Sequence, residues 1–131
     1  MSDIPKNLKF AKSHEWARAE DDGTVTIGIS DHAQGALGDL VFVEPPGIGD
    51  TIEANSACAV VESVKAASDV YSPIAGTVVA VNDLLDSTPE LVNSDPYGKG
   101  WLFRMRPDGD DALGALLDAD AYAKVVADEE H

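Results

Sequence analysis

One lysine stands apart from the other basic residues of this chain. Lys65 is the only Lys or Arg between Arg18 and Lys99, although the same stretch holds fourteen Asp and Glu residues. An exposed lysine offers a flexible four-carbon stem and a nucleophilic amine, which suit it to amide attachment of a cofactor. On spacing alone, an ordinary solvated lysine on a turn is the commoner explanation. The choice between the two therefore depends on the surrounding sequence.

Other residues that could do chemistry fit structural roles better. Residues 13–15 read Ser-His-Glu and are too close in sequence to form a catalytic triad by themselves. His32 and His131 show no set of partners, and His32 is expected on a helix surface or at a helix cap. Cys58 lies in an apolar stretch with no Cys or His at metal-ligand spacing, which favours a core side chain over a reactive thiol. We therefore predict no catalytic residue and no metal site.

The charge balance restricts the class of partner. The 131 residues carry a formal net charge of −15, from 24 acidic and 9 basic side chains. Phosphate binding requires clustered Lys and Arg, so this balance argues against a nucleic-acid partner and favours basic or mixed protein surfaces. No apolar run approaches the length of a membrane span, and no signal or transit peptide is recognised. We expect a cytoplasmic protein without a membrane partner, and the strong like charge favours a monomer.

The elements that must position the lysine are mostly short strands. Residues 24–29 alternate between polar and apolar side chains, which predicts a strand. A helix of about two turns is expected over 33–37, with Ser30 or Asp31 as its cap and Gly38 at its end. Further strands are expected at 40–44, 77–81 and 101–105, and another is expected to start at Thr51 and Ile52.

A hairpin within residues 57–81 is expected to present Lys65. Its two β-rich arms flank the small polar stretch 65–68, so the lysine lies at or beside the tip. Pro73 and Gly76 would be costly inside a central strand, so a turn there returns the chain as another strand.

The remaining sequence completes one small β-rich domain over residues 1–131. Residues 82–95 are expected to form one or two helical turns interrupted by Pro89. A C-terminal helical segment is expected over about 110–127, followed by an acidic tail from Asp128. The predicted fold is mainly β, a small antiparallel sandwich or half-barrel with a short internal helix and a C-terminal helix.

Two segments around the lysine resemble a known kind of attachment module. Residues 61–66 (VESVKA), followed by 72–78 (SPIAGTV), are similar to the lipoyl and biotinyl attachment domains. In those domains the modified lysine lies at a hairpin tip and a Pro-x-x-Gly-x-Val turn follows. Biotin carriers typically have Met on both sides of the lysine, whereas Val64 and Ala66 stand there in this chain. The resemblance therefore favours lipoylation.

The resemblance extends along most of the chain to the H-protein family of the glycine cleavage system. Each matching piece is weak alone, but together they are specific and run in family order from about residue 8 to residue 126. The pieces are 13–16 (SHEW), 25–34 (VTIGISDHAQ), 37–44 (LGDLVFVE), 62–69 (ESVKAASD), 90–93 (ELVN), 95–98 (DPYG) and 100–101 (GW). Gly35 departs from the usual pattern, and it costs the short helix up to about 1 kcal/mol relative to Ala.

This resemblance implies a carrier without catalysis of its own, with lipoate attached to Lys65. Its expected partners are a glycine decarboxylase (P protein), an aminomethyltransferase (T protein), a dihydrolipoyl dehydrogenase (L protein) and lipoate-attaching enzymes. The positions that match the family's cleft for the aminomethyl-bearing arm are Ser13, Glu15 and Asp69. Glu62 and Asp69 flank the lysine and are candidates for recognition by the attaching enzyme.

Two alternatives to this role remain at the level of sequence. An H-like protein that passes lipoate on to 2-oxoacid dehydrogenases would use the same lysine and turn. An adaptor domain with an unmodified, solvated Lys65 is the alternative from another functional class.

Overall fold

The computed structural model describes residues 4–109 and 112–129, which contain short strands and short helices joined by turns and loops. The strands are β1 (Lys9–Phe10), β2 (Glu15–Ala19), β3 (Val25–Ile29), β4 (Leu40–Glu44), β5 (Thr51–Ile52), β6 (Ala57–Ser63), β7 (Ala67–Tyr71), β8 (Gly76–Val81) and β9 (Phe103–Pro107). The helices are α1 (Asp31–Leu37), α2 (Leu84–Ser87), α3 (Leu91–Ser94) and α4 (Ala119–Glu129), and a 3-10 turn spans Ala112–Ala115.

The strands form two antiparallel sheets. One sheet has the order β1-β2-β3-β9-β8-β5, and the other has the order β4-β6-β7. Both contribute to one apolar cluster, which includes Ile27, Phe103 and Met105 from the larger sheet and Val61 and Val70 from the smaller. Burial of this apolar surface is the main force that holds the sheets together. The predicted fold class, mainly β with two antiparallel sheets and a few helices, is confirmed.

A second apolar cluster covers the outer end of the larger sheet. Phe10 of β1 stacks on Tyr122 of α4, with their ring centroids 4.4 Å apart. The fully buried Trp16 lies over Gly28 of β3, where an added Cβ would be only 2.7 Å from the indole. Its Nε1 donates a hydrogen bond to the carbonyl of Pro96 at 3.0 Å. Trp16 is therefore a core anchor.

Helix α1 follows β3 in the chain, and it begins with the expected cap residue and ends at the expected glycine. The Ser30 side chain accepts a hydrogen bond from the amide of Ala33 at 3.2 Å. Gly38 ends the helix with φ +85°, a backbone conformation that favours glycine. The helix begins at Asp31, two residues before the predicted start, because the Ser30 cap lies immediately before it.

The two strands before β3 were not predicted from the sequence. Residues 6–13 are mostly polar, and the five residues of β2 lack a clear alternation of polar and apolar side chains. Their burial comes from tertiary packing, because β1 pairs with β2 and α4 covers β1. Such context overrides strand propensity read from the sequence.

The C-terminal segment differs from the helix expected over about 110–127. After the 3-10 turn, the backbone of Leu117 forms two hydrogen bonds with Phe10, each 2.8 Å long, and this bridge separates the turn from α4. Asp128 and Glu129, predicted to lie in an acidic tail, belong to α4. Residues 110–111 and 130–131 lie outside the described ranges. None of the helices within those ranges is both long and apolar enough to cross a membrane.

Candidate functional site

Lys65 lies on the exposed tip between β6 and β7. The Ser63 hydroxyl accepts hydrogen bonds from the amides of Lys65 at 3.1 Å and Ala66 at 3.2 Å. The amide of Val64 donates to the carbonyl of Asp39 at 3.0 Å, which ties the tip to the segment after α1. These bonds restrain the backbone of the tip while the lysine side chain stays exposed.

The end of α1 makes room for the lysine stem. A Cβ atom added at Gly38 would lie 3.1 Å from Cε and 3.6 Å from Nζ of Lys65. A side chain at this position would displace the flexible end of the lysine and would also have to adopt a positive φ. Glycine at position 38 is therefore required by the helix end, and it leaves the lysine side chain close to α1.

A cleft of about 190 Å³ brings together the three arm-cleft residues named from the sequence. Ser13, Glu15 and Asp69 all line it, and their side chains come from the loop before β2, from β2 and from β7. The rest of the lining consists of His14, Ser68 and the apolar residues Ile29, Ala33, Ala36, Leu37, Val61 and Val70. The cleft therefore combines a hydrophobic wall with carboxylates, a combination suited to a small organic group that ends in a cation.

Glu15 is the most deeply buried acidic residue of this cleft, with 2% of its surface exposed. Its carboxylate accepts hydrogen bonds from the Ser13 hydroxyl and from the amide of Tyr71, the latter at 3.1 Å. Burial raises the pKa of Glu15 above its ordinary value, although both hydrogen bonds act in the opposite direction. The ionised carboxylate is thus held in a site that penalises its charge, and a bound cation would relieve that penalty.

We expect Glu15→Gln to stabilise the fold at neutral pH by about 1 kcal/mol. The folded-state pKa is raised, so folding is favoured by protonated Glu15, and wild-type stability falls as the pH rises from about 4.5 through the folded-state pKa. Glutamine lacks this charge and can still accept from Tyr71, so the advantage of the variant should shrink toward acid. Urea denaturation at about pH 8 and pH 5 measures it.

Glu53→Gln, at an exposed glutamate outside the cleft, is the matched control for this comparison. It should leave stability unchanged at both pH values. A Glu15→Gln protein that is less stable than wild type at pH 8 would show that the hydrogen bonds to the ionised carboxylate outweigh its burial.

The other residues singled out in the sequence lie near the cleft or behind it. Glu62 is half-buried on β6, opposite Ala67, and it is not among the residues that line the cleft. Cys58 packs against the main apolar cluster, and burial raises the pKa of its thiol to about 12. A thiol with that pKa is scarcely ionised at neutral pH, in agreement with a structural role.

Two histidines have partners that the sequence did not reveal. His14 Nε2 lies 3.0 Å and His32 Nε2 lies 3.8 Å from the same carboxylate oxygen of Glu129. The prediction that His32 has no set of partners is therefore wrong. Glu129 is 115 positions from His14 in the chain, so no local pattern could have indicated this cluster.

Comparison with known proteins agrees with the resemblance seen in the sequence. The family model described as "Glycine cleavage H-protein" matches residues 8–129. The "Glycine cleavage system H protein" of Xanthomonas euvesicatoria is 61% identical to this chain over the full length of both. The one from Alkalilimnicola ehrlichii is 60% identical over 99% of this chain and 100% of its own.

A solved structure shows the same fold. The crystal structure of a glycine cleavage system H protein from Mycobacterium marinum superposes with a TM-score of 0.83 at 41% sequence identity. The match covers 92% of this chain and 97% of the other.

Proposed function

The chain belongs to the glycine cleavage H-protein family, and from this membership we propose that it is a lipoyl carrier with its lipoyl group on Lys65. The observation that supports this best is the presentation of Lys65. Its amine is exposed on a hairpin tip whose backbone is restrained by the Ser63 side chain. A restrained tip offers an attaching enzyme a fixed target, whereas the four-carbon stem keeps the attached group mobile.

The proposed carrier serves three enzymes of glycine cleavage. When bound, the lipoyl group supplies a dithiolane that takes up an aminomethyl group and electrons and gives them up again. The protein is loaded by the P protein, unloaded by the T protein and reoxidised by the L protein, and it performs no catalysis of its own. The charge of −15 suits it to basic or mixed surfaces on these partners, as a monomer in the bacterial cytoplasm.

The cleft is proposed to hold the loaded end of the arm. The aminomethyl amine is a cation, and Glu15 and Asp69 are the acidic residues that line the cleft. The buried Glu15 carboxylate would form a charge-assisted hydrogen bond with this amine, and Ser13 keeps that carboxylate oriented. The apolar wall limits access of water to the adduct.

Recognition by the lipoate-attaching enzyme is assigned to the acidic residues on either side of the tip. Glu62 precedes Lys65 on β6, and the exposed Asp69 follows it on β7. The two residues thus lie on the strands that flank the lysine. The attaching enzyme would therefore read the charge pattern of the hairpin rather than the lysine alone.

Loading of the lipoylated protein tests this function. The chain is lipoylated by a lipoate-attaching enzyme, and the modified peptide within residues 61–70 is identified by mass. Glycine labelled at its α-carbon is then added with the P protein, which releases the carboxyl group as CO2. We expect one lipoyl group per chain, on Lys65, and retention of the label until the T protein and tetrahydrofolate are added. In Glu15→Gln, loss of the charged hydrogen bond should shorten the lifetime of the label about tenfold or more.

The controls separate the carrier from its cleft and from other roles. Glu53→Gln should retain the label as wild type does. Equal lifetimes in wild type and Glu15→Gln would refute the role of the cleft but not that of the carrier. A lipoylated chain that takes up no label would refute the glycine-cleavage role, and movement of its lipoyl group to a second apo-acceptor would indicate the lipoate relay instead.

A further inference from the structure

Two histidines and a glutamate from three separate elements meet beside the cleft. His14 lies in the loop between β1 and β2, His32 is the second residue of α1, and Glu129 is the last residue of α4. One ligand atom from each lies within 4.8 Å of the other two. We propose that these three residues bind a divalent transition-metal ion, for which Zn²⁺ is the best match.

The donor atoms and their spacing fit zinc. Zinc is commonly held by three protein ligands drawn from imidazole nitrogens and carboxylate oxygens, with a fourth position left open. Bonds of about 2.0–2.1 Å in a tetrahedral site place neighbouring ligand atoms about 3.3 Å apart. The distances from Glu129 Oε1 to His14 Nε2 and His32 Nε2 are 3.0 and 3.8 Å. These two distances bracket the tetrahedral value.

A chain of hydrogen bonds behind His14 orients its ring. His14 Nδ1 lies 2.7 Å from the hydroxyl of Tyr122, which in turn lies 2.6 Å from the hydroxyl of Ser30. The two hydroxyls can each donate or accept, so they can satisfy Nδ1 in either tautomer of His14. A metal bound at Nε2 would replace the hydrogen bond between Nε2 and Glu129 and would select the tautomer with hydrogen on Nδ1, which donates to Tyr122. Metal-bound histidines usually have such a partner on the other ring nitrogen.

The backbone at His14 is unusual in a way that sets the imidazole in place. Its φ is +80°, a conformation that residues other than glycine adopt uncommonly. The loop is held there because His14 donates its amide to the carbonyl of Ala11 and accepts at its own carbonyl from the amide of Ser30. These hydrogen bonds restrain the loop. The centroid of the His14 ring lies 4.9 Å from the centroid of the His32 ring.

Metal binding would couple the C-terminal helix to the cleft. Glu129 ends α4, whereas His14 lines the cleft and His32 lies on the helix that forms part of its wall. A bound ion would therefore fix the end of α4 against the two elements that bracket the cleft, and its open coordination position would be available to a small donor ligand.

Calorimetric titration with Zn²⁺ tests the site, using full-length protein that has no lipoyl group and no polyhistidine tag. A large excess of Mg²⁺ in the buffer occupies sites made only of carboxylates, because Mg²⁺ prefers oxygen ligands and competes poorly for imidazole. We expect one Zn²⁺ per chain. His32→Gln and Glu129→Gln should each weaken binding at least tenfold, and Tyr122→Phe about tenfold through loss of the orienting hydroxyl.

Two further variants keep the test independent of folding. His14→Asn removes the imidazole but accommodates the positive φ, so it should lose the site while its thermal unfolding stays close to that of wild type. Asp128→Asn, at the exposed residue beside Glu129, should bind Zn²⁺ as wild type does. Absence of binding, displacement of Zn²⁺ by excess Mg²⁺, or an affinity unchanged in both His32→Gln and Glu129→Gln would overturn the proposal.

Discussion

Lys65→Arg should abolish loading of the protein with aminomethyl groups and leave its fold intact. Arginine keeps the positive charge and a long stem, but its guanidinium does not form the amide through which lipoate would be attached. Because position 65 is exposed, the change in the free energy of unfolding should stay within about 0.5 kcal/mol. In the presence of the P protein, exchange of the glycine carboxyl carbon with labelled bicarbonate should fall to the rate seen without the carrier protein.

Lys99→Arg is the matched control, since Lys99 is also exposed but lies in the loop before β9. It should take up one lipoyl group and support exchange as wild type does. A lipoyl increment on the Lys65→Arg protein, or exchange at the wild-type rate, would contradict the assignment of the attachment site. In cells, an unchanged glycine-dependent phenotype of Lys65→Ala would favour the adaptor alternative.

Gly76→Ala should destabilise the protein by about 3 kcal/mol, the largest effect on stability that we expect from one added methyl group. A Cβ at this position would lie 2.3 Å from the carbonyl oxygen of Arg106 and 3.0 Å from Cα of Pro107. Both atoms belong to the backbone of the paired strand β9, so relief requires a shift of the strand itself. Thermal unfolding should show a fall in Tm of about 10 °C or more.

Gly35→Ala is the control for this substitution, because nothing lies within 4 Å of a Cβ added there. It should stabilise α1 by up to about 1 kcal/mol, since alanine favours a helix more than glycine does. Similar shifts in Tm for Gly76→Ala and Gly35→Ala would contradict this prediction. They would show that β9 moves away from the added methyl group more easily than its backbone contact with β8 implies.

Much of the fold was predictable because its signals are local. The alternation in residues 24–29 and the cap before α1 are properties of consecutive residues, and they identified β3 and the internal helix to within two residues at each end. The hairpin tip was predictable for the same reason, because β-rich arms flank Lys65 closely. Strand β2 was not predicted, because its burial depends on neighbours that are distant in sequence.

The candidate site was likewise predictable only in part. The resemblance named Ser13, Glu15 and Asp69, and the structure brings all three to one cleft. It did not reveal that the amide of Tyr71 donates to Glu15, or that Glu129 lies against His14. Those contacts join positions 56 and 115 residues apart, and only the packing of whole elements creates them.

The hydrogen bond from Tyr71 to Glu15 has a consequence for the protein as a whole. Glu15 belongs to the larger sheet and Tyr71 to the smaller, so one buried carboxylate bridges the two. A cationic ligand that favours the ionised carboxylate also strengthens the hydrogen bond that this carboxylate accepts from the Tyr71 amide. Thermodynamic reciprocity then requires that a stronger hydrogen bond between the sheets raises the affinity for the ligand. Occupancy of the cleft and cohesion of the two sheets are therefore linked quantities, and the Tyr71 amide proton is a spectroscopic reporter of both.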